Sequence, residues 1–306
     1  MTEERAPDVK STRFRMVDYA LIAMMILPIL ACIVLKVLFN PASEGINISG
    51  ALVFWANEAD IGTTTLYLSE SQVNTWAVMI SILGLCLYLT HGLTTKAVCK
   101  RQLAAEWIVE KSEKLVKDNM GRYFAEWGPF IAAIMGLSAF SSLICLVGLF
   151  SPTGDVNVTF GWAILVFFLI MNFKFKGGFG KYFLGLFKPI PVFMPMNLVG
   201  EFSTPVSMAF RHYGNILSGA VISALIGGAL TGLSKSLLGW LPGVFADMPL
   251  LRVGLPAVLS IYFDLFSGVM QAFIFAMLTM LNIANNVPWD DWNQKRAKRN
   301  KPALEN

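Results

Sequence analysis

Long apolar stretches, repeated along the whole chain, limit this sequence more than any other feature. Residues 17–39, 73–92, 129–150, 158–173, 197–232 and 251–285 carry few charges, and the polar residues crowd the segments between them. Runs of about 18 or more apolar residues mark helices that cross a bilayer, because a helix satisfies its own backbone inside hydrocarbon. A chain of 306 residues that is 55% hydrophobic and 14% charged is not an ordinary soluble domain. The expected fold is an all-α integral membrane domain of about six spans over residues 17–285. A tail at 1–16 and a basic tail at 286–306 flank it.

Most of the 24 Lys and Arg fall in alternate connections. Arg5, Lys10, Arg13 and Arg15 precede the first span, a basic group from Lys96 to Arg122 separates the second and third, and Lys174, Lys176, Lys181 and Lys188 follow the fourth. The chain ends with Lys295, Arg296, Lys298, Arg299 and Lys301, whereas 40–72 and 151–157 hold no Lys or Arg. Basic connections stay in the cytoplasm, so both termini are expected inside, which an even number of spans requires. Strict alternation with apolar spans argues against a nucleic-acid surface. Cys32, Cys86, Cys99 and Cys145 lie in spans or in a basic connection, where disulfides are not expected. The 17–39 stretch is longer than a signal-peptide core and reads as a retained span.

Span length adds detail. The fourth run is short, about 16 residues against the ~20 a spanning helix needs. The fifth and sixth are each about 34 residues, too long at ~1.5 Å per residue for an upright helix in a ~30 Å core, so both are expected to lean strongly. Residues 104–120 mix apolar and charged positions at helical spacing and read as a surface helix on the cytoplasmic side. The acidic connection after the first span carries Phe54 and Trp55, placed for the membrane interface. No internal repeat suggests a stand-alone transporter.

Arg211 stands near the middle of the fifth run, where burying a cation costs about 2.5–3.5 kcal/mol on insertion scales and 10 or more in simulations. Such a residue marks function unless a structural pair, here Asp264, or snorkelling explains it. At ~100° per residue, Thr204, Ser207, Asn215 and Ser218 share its face within about 40°. A second stripe, Asp264, Ser267, Gln271 and Asn282, runs down the sixth span. If the two helices are antiparallel neighbours, Asp264 lies nearer the outside and Gln271 nearer the level of Arg211. Glu201 and Asn197, on the other side of Arg211, are placed to line a second path towards the cytoplasm. Gly214 and Ser218, then Gly219 and Ser223, repeat at small-xxx-small spacing and invite another helix to approach, one that could belong to a partner. Asp155 reads as the cap of the fourth span or as a channel residue. His91 and His212 have no partner at metal-ligand spacing, so no metal or cofactor is expected.

The stretch Pro195-Met196-Asn197-Leu198-Val199-Gly200-Glu201-Phe202, with Pro205-Val206-Ser207 and Arg211-His212-Tyr213-Gly214-Asn215-Ile216-Leu217-Ser218-Gly219, resembles the core helix of subunit a of F-type ATP synthases. Ser151-Pro152-Thr153-Gly154-Asp155-Val156-Asn157-Val158-Thr159 is similar to the family's loop before its next span, and Gln271-Ala272-Phe273-Ile274-Phe275-Ala276-Met277-Leu278-Thr279 to its last helix. The resemblance covers roughly 73–285 and implies a bacterial inner (plasma) membrane subunit without a catalytic site of its own. Its partners would be the c-ring, the subunit b peripheral stalk and lipid, and the two long helices would form the face that packs on the c-ring. In that family the arginine, here Arg211, faces ring carboxylates at the meeting point of two offset half-channels. H⁺ flow, with Na⁺ the alternative, is thereby coupled to rotation and ATP synthesis. Asn215, Gln271, Asp264, Glu201, Ser207 and Ser218 would serve translocation, with Asp155, Asn197 and Ser267 as further lining.

The departures from the family are specific. Many bacterial members place a glutamate after the motif glycine and a histidine seven residues before the glutamine, where this chain has Ala220 and Asp264. The inlet acid is thus expected on the facing helix. A family glutamate near the cytoplasmic end is Asn197 here, and the usual leucine after the arginine is His212. The first span has no counterpart in five-span members.

Overall fold

Six helices long and apolar enough to cross a membrane dominate the computed structural model, which describes residues 16–39, 50–57, 66–93, 99–176, 178–187, 190–238, 258–259, 261–289 and 292–294. The expected tail at 1–15, the first residues of the sixth span at 251–257 and the basic residues from 295 onward lie outside these. In chain order the elements are α1 (Met16–Phe39), strands β1 (Val53–Asn57) and β2 (Leu66–Ser69), α2 (Glu70–Thr90), α3 (Lys100–Met120) and a 3₁₀ turn Arg122–Trp127. There follow α4 (Gly128–Leu143), α5 (Val156–Lys176), α6 (Phe179–Leu186), α7 (Met194–Leu238), a π-helical segment Ile261–Ser267 and α8 (Gly268–Asn285).

Local chemistry explains where the helix ends depart from the apolar runs. The Ser69 amide donates to Gln72 Oε1 at 3.3 Å, half of a capping box that starts α2 ahead of its apolar run. The fourth span is not short: α5 has 21 residues, because Lys174 and Lys176 extend the helix at its C-terminal turn instead of ending it. Glycine with φ 79° at position 148 halts the 3₁₀ turn that follows α4. Phe54 and Trp55 sit in the small antiparallel hairpin of β1 and β2, paired as Trp55↔Leu68 and Ala56↔Tyr67, an addition to the all-α plan.

The main core lies among α4, α5, α7 and α8, where Ile131, Val166, Ala209, Phe275 and Met280 are buried. A Cβ on Gly268 would stand 2.9 Å from Ser142 Cβ, so a side chain there would force α8 away from α4. Far from lying only on the surface, α3 contributes Val116 and Met120 to this core. At one end of the bundle Tyr123, Phe124, Trp127, Phe173, Trp289 and Trp292 interlock edge to face, the amphipathic rings expected at a membrane interface.

A second cluster joins α1 to α2 through Cys32, Ala77 and Val78, and Gly84 lets the α1 backbone approach. Ion pairs tie both ends of α1. Arg101 Nη1 meets Asp18 Oδ1 at 2.6 Å, and Lys36 Nζ meets Glu70 Oε1 at 3.0 Å. Asp18 and Glu70 are buried, so removing either cation takes an ion-pair partner from a buried carboxylate and is destabilising. All four cysteines are free.

Candidate functional site

Three contacts fix how α7 runs past the last span. Asn282 Nδ2 reaches Met208 Sδ at 3.6 Å, the rings of His212 and Phe275 stand 5.6 Å apart edge to face, and Ser267 Oγ donates to Asn215 Oδ1 at 2.8 Å. Asn215 returns the last contact by donating Nδ2 to the Ser267 carbonyl at 3.3 Å. As the numbers rise on α7 they fall on the partner, so the helices are antiparallel and the two polar stripes meet at Asn215 and Ser267. Gln271 is buried one turn from Phe275, close to the Arg211 level, and Asp264 lies beyond Ser267, half-buried.

Asp264 and Ser267 belong to a π-helical turn, with i→i+5 hydrogen bonding. A wheel drawn at ~100° per residue therefore does not place Asp264 relative to Gln271, and the even four-residue stripe expected down this span is broken at its upper end. The same segment packs beside the 3₁₀ turn Ile144–Val147 and beside α7, where a Cβ on Gly219 would come within 3.2 Å of Phe263 Cβ. Gly219 thus serves an approach within the chain, while Gly214 has open space where its Cβ would be.

Arg211 is exposed, and among the described residues no hydrogen bond or ion pair engages it, Asp264 included. Ser207 and Ser218 are exposed on the same face, and Ser218 Oγ donates to the Asn215 carbonyl at 3.1 Å. Towards the start of α7, Glu201 pairs with Lys174 of α5, and Lys174 also lies 5.8 Å from the centre of the Tyr182 ring. Burial, then the Glu201 carboxylate, pushes the Tyr182 phenol above its ordinary range. Asn197 Nδ2 donates to the Leu186 carbonyl at 2.8 Å, joining α6 to α7. The Lys174 partner was not legible beforehand, since no spacing rule links residues 174 and 201.

Asp155 stands at the start of α5 and accepts from the Asn157 amide at 2.9 Å, as a cap does, and from Ser71 Oγ at 2.6 Å. Glu70, one residue before Ser71, accepts from the Phe150 amide at 3.1 Å, so α1, α2 and the loop ahead of α5 converge there. His212 is fully buried between Trp162 and Phe275, with Nε2 3.3 Å from Ser138 Oγ. Among the described residues, no group of three or more His, Cys, Asp or Glu is arranged to hold a metal ion.

The sequence profile of the ATP synthase A chain family matches residues 72–284, which include Arg211 and the contacts between α7 and the last span. The chain belongs to that family. It is 30% identical over 251 residues to the sodium ion specific ATP synthase subunit a of Propionigenium modestum, covering 76% of this chain and 79% of that one. With the ATP synthase subunit a of Acidothermus cellulolyticus it shares 31% identity over 248 residues, 75% of this chain and 83% of the relative. The Bacillus subtilis ATP synthase subunit a is 28% identical over 229 residues, 70% and 91% of the two chains. As a family member the chain is a multi-pass membrane protein of bacterial type and the ion-translocating stator of the synthase's membrane sector. The matched region begins after α1 and Glu70, so the ion pairs that fasten the first helix lie wholly or partly outside it.

Proposed function

We propose that this subunit has no catalytic site of its own and presents Arg211 to the carboxylates of a c-ring, between two offset proton half-channels. The supporting observation is the state of Arg211: a permanent cation in a long apolar helix, exposed and without a carboxylate partner among the described residues. In a bilayer such a charge is costly unless another protein supplies the counter-charge. Ser207, Gly214 and Ser218 keep the surrounding face small, so a neighbouring helix can approach closely. On this reading α7 and the last span lean across the membrane to form the ring-facing surface. Asp264, Ser267, Asn215 and Gln271 line the inlet, and Glu201 and Asn197 lie beside the outlet. Subunit b of the peripheral stalk holds the chain still, and both termini lie in the cytoplasm.

Cross-linking tests the surface. A cysteine at Ser207 should form a disulfide with cysteines on the outer helix of the ring in the assembled complex. Cross-links confined to lipid-phase probes would refute the assignment.

A second reading, with Na⁺ as the coupling ion, has beside it only the similarity to one relative named as sodium ion specific, and proton coupling is the reading kept. Proton coupling predicts that ATP hydrolysis by the purified complex is unchanged from micromolar to millimolar Na⁺. Activation by Na⁺ that fades as the pH falls would select the sodium reading.

A further inference from the structure

A line of buried polar side chains leads from the Glu70 and Asp155 end of the bundle to the helix turn that carries Arg211. It begins where Ser71 holds Asp155. Four residues before Asp155 in the same loop, Ser151 Oγ lies 2.7 Å from Thr153 Oγ1 and donates to the Ser141 carbonyl at 2.7 Å. On α4 it descends one face through Ser141, Ser142 and Ser138, all fully buried, with Ser142 Oγ donating to the Ser138 carbonyl at 3.1 Å. Ser138 then meets His212 Nε2. The residue next to His212 is Arg211, at nearly the same height and ~100° round the helix, so the two side chains open to the core and to the ring-facing surface respectively.

We infer that His212 is a proton-relay residue of this chain, the inner end of a hydroxyl ladder on α4 that feeds the Arg211 level. The inference deepens the proposed function and rests on it. Helix-to-helix adhesion explains Ser142, which packs against Gly268, but not the rest. Ser141 Oγ and His212 Nδ1 are fully buried with no hydrogen-bond partner among the described residues. A fold selected only for packing would place apolar groups at both positions, since an orphaned buried polar atom typically costs about 1–3 kcal/mol. Open donors and acceptors along a hydroxyl row are what a transiently bound water needs. The transfer balances: the neutral ring takes a proton at one nitrogen and releases the one on the other, so its charge is restored and only its tautomer changes, which ring rotation resets. The ladder passes the last span at Gly268, one turn from Asp264, so it and the Asp264 route border a common inlet.

The test uses the whole complex reconstituted in liposomes, measuring ATP synthesis driven by an imposed proton gradient and the amount of this subunit assembled. Leucine fills the His212 site without a polar atom, so His212→Leu should assemble normally yet slow synthesis by about 100-fold, the low end of what a proton-transfer group contributes. His212→Gln keeps a donor and an acceptor but cannot pass a proton between them, so it should stay slow, and a wild-type rate there would overturn the relay. Ser138→Ala should slow synthesis similarly, and the His212→Leu and Ser138→Ala double variant should be no slower than His212→Leu alone. Wild-type rates in His212→Leu would overturn the inference. If that variant fails to assemble, Ser138→Ala decides: a wild-type rate overturns the relay and a slow one supports it. Arg211→Ala, measured alongside, separates the two claims, because retained coupled transport there would overturn the proposed function itself.

Discussion

Replacing Arg211 with alanine is expected to abolish ATP-driven ion transport while ATP hydrolysis continues in the assembled complex. On the proposed mechanism the guanidinium does two things. It stabilises the ionised form of each ring carboxylate that passes, and it bars ions from crossing directly between half-channels. A cation within hydrogen-bond reach typically lowers a carboxyl pKa by about 1–3 units, so its loss weakens ion release roughly 10- to 1000-fold. The second loss is larger in kind: each ion that leaks straight through wastes about 2.3 kcal/mol per 100 mV without turning the ring. Proton pumping in inverted vesicles, read beside hydrolysis and subunit content, measures both. A subunit that merely anchored the stalk would pump normally with alanine at this position. Because Arg211 is exposed and no hydrogen bond or ion pair among the described residues holds it, the variant should assemble.

Asp264→Asn should slow ion flow by about 100-fold, the low end of the range for a lost proton-transfer group, without uncoupling what flow remains. The site's geometry suggests a rescue. Gly219 of α7 touches Phe263 of the π-helical turn, so Ala220 and Asp264 are the next residues on either side of that contact. A glutamate at position 220 would return an acid to the position where many bacterial relatives carry one. Asp264→Ala with Ala220→Glu should regain part of the lost rate, measured as gradient-driven synthesis. If the double variant is as slow as Asp264→Ala, the acid has not simply moved between facing helices, and Asp264 then works only from within its π turn.

The membrane class, the span number and the cation at the centre of the fifth helix were legible in the residues. Apolar run length and the cost of a charge in hydrocarbon are properties of the chain itself, independent of what packs where. Ser207, Asn215 and Ser218 were readable for the same reason: α7 is regular, so residue spacing translates into a face. The sequence could not reveal the end of α5, because Lys174 looks like a boundary until its amine is seen to pair with Glu201. Nor could it reveal the π turn around Asp264, since nothing in its residues announces an altered hydrogen-bond period and the wheel argument assumes the ordinary one.

Tertiary structure alone decided which polar side chains meet. Asn215 with Ser267, Asp155 with Ser71 and His212 with Ser138 are separated by 52, 84 and 74 residues, distances over which no local pattern acts. His212 shows the difference most clearly. Read along the helix it is an unexplained substitution beside the arginine, and its part in the fold emerges only from the α4 serines that packing brings to it. Local energetics set the elements and the price of a buried charge, whereas the closing of four helices around one core chose which hydroxyl, amide and imidazole would face one another.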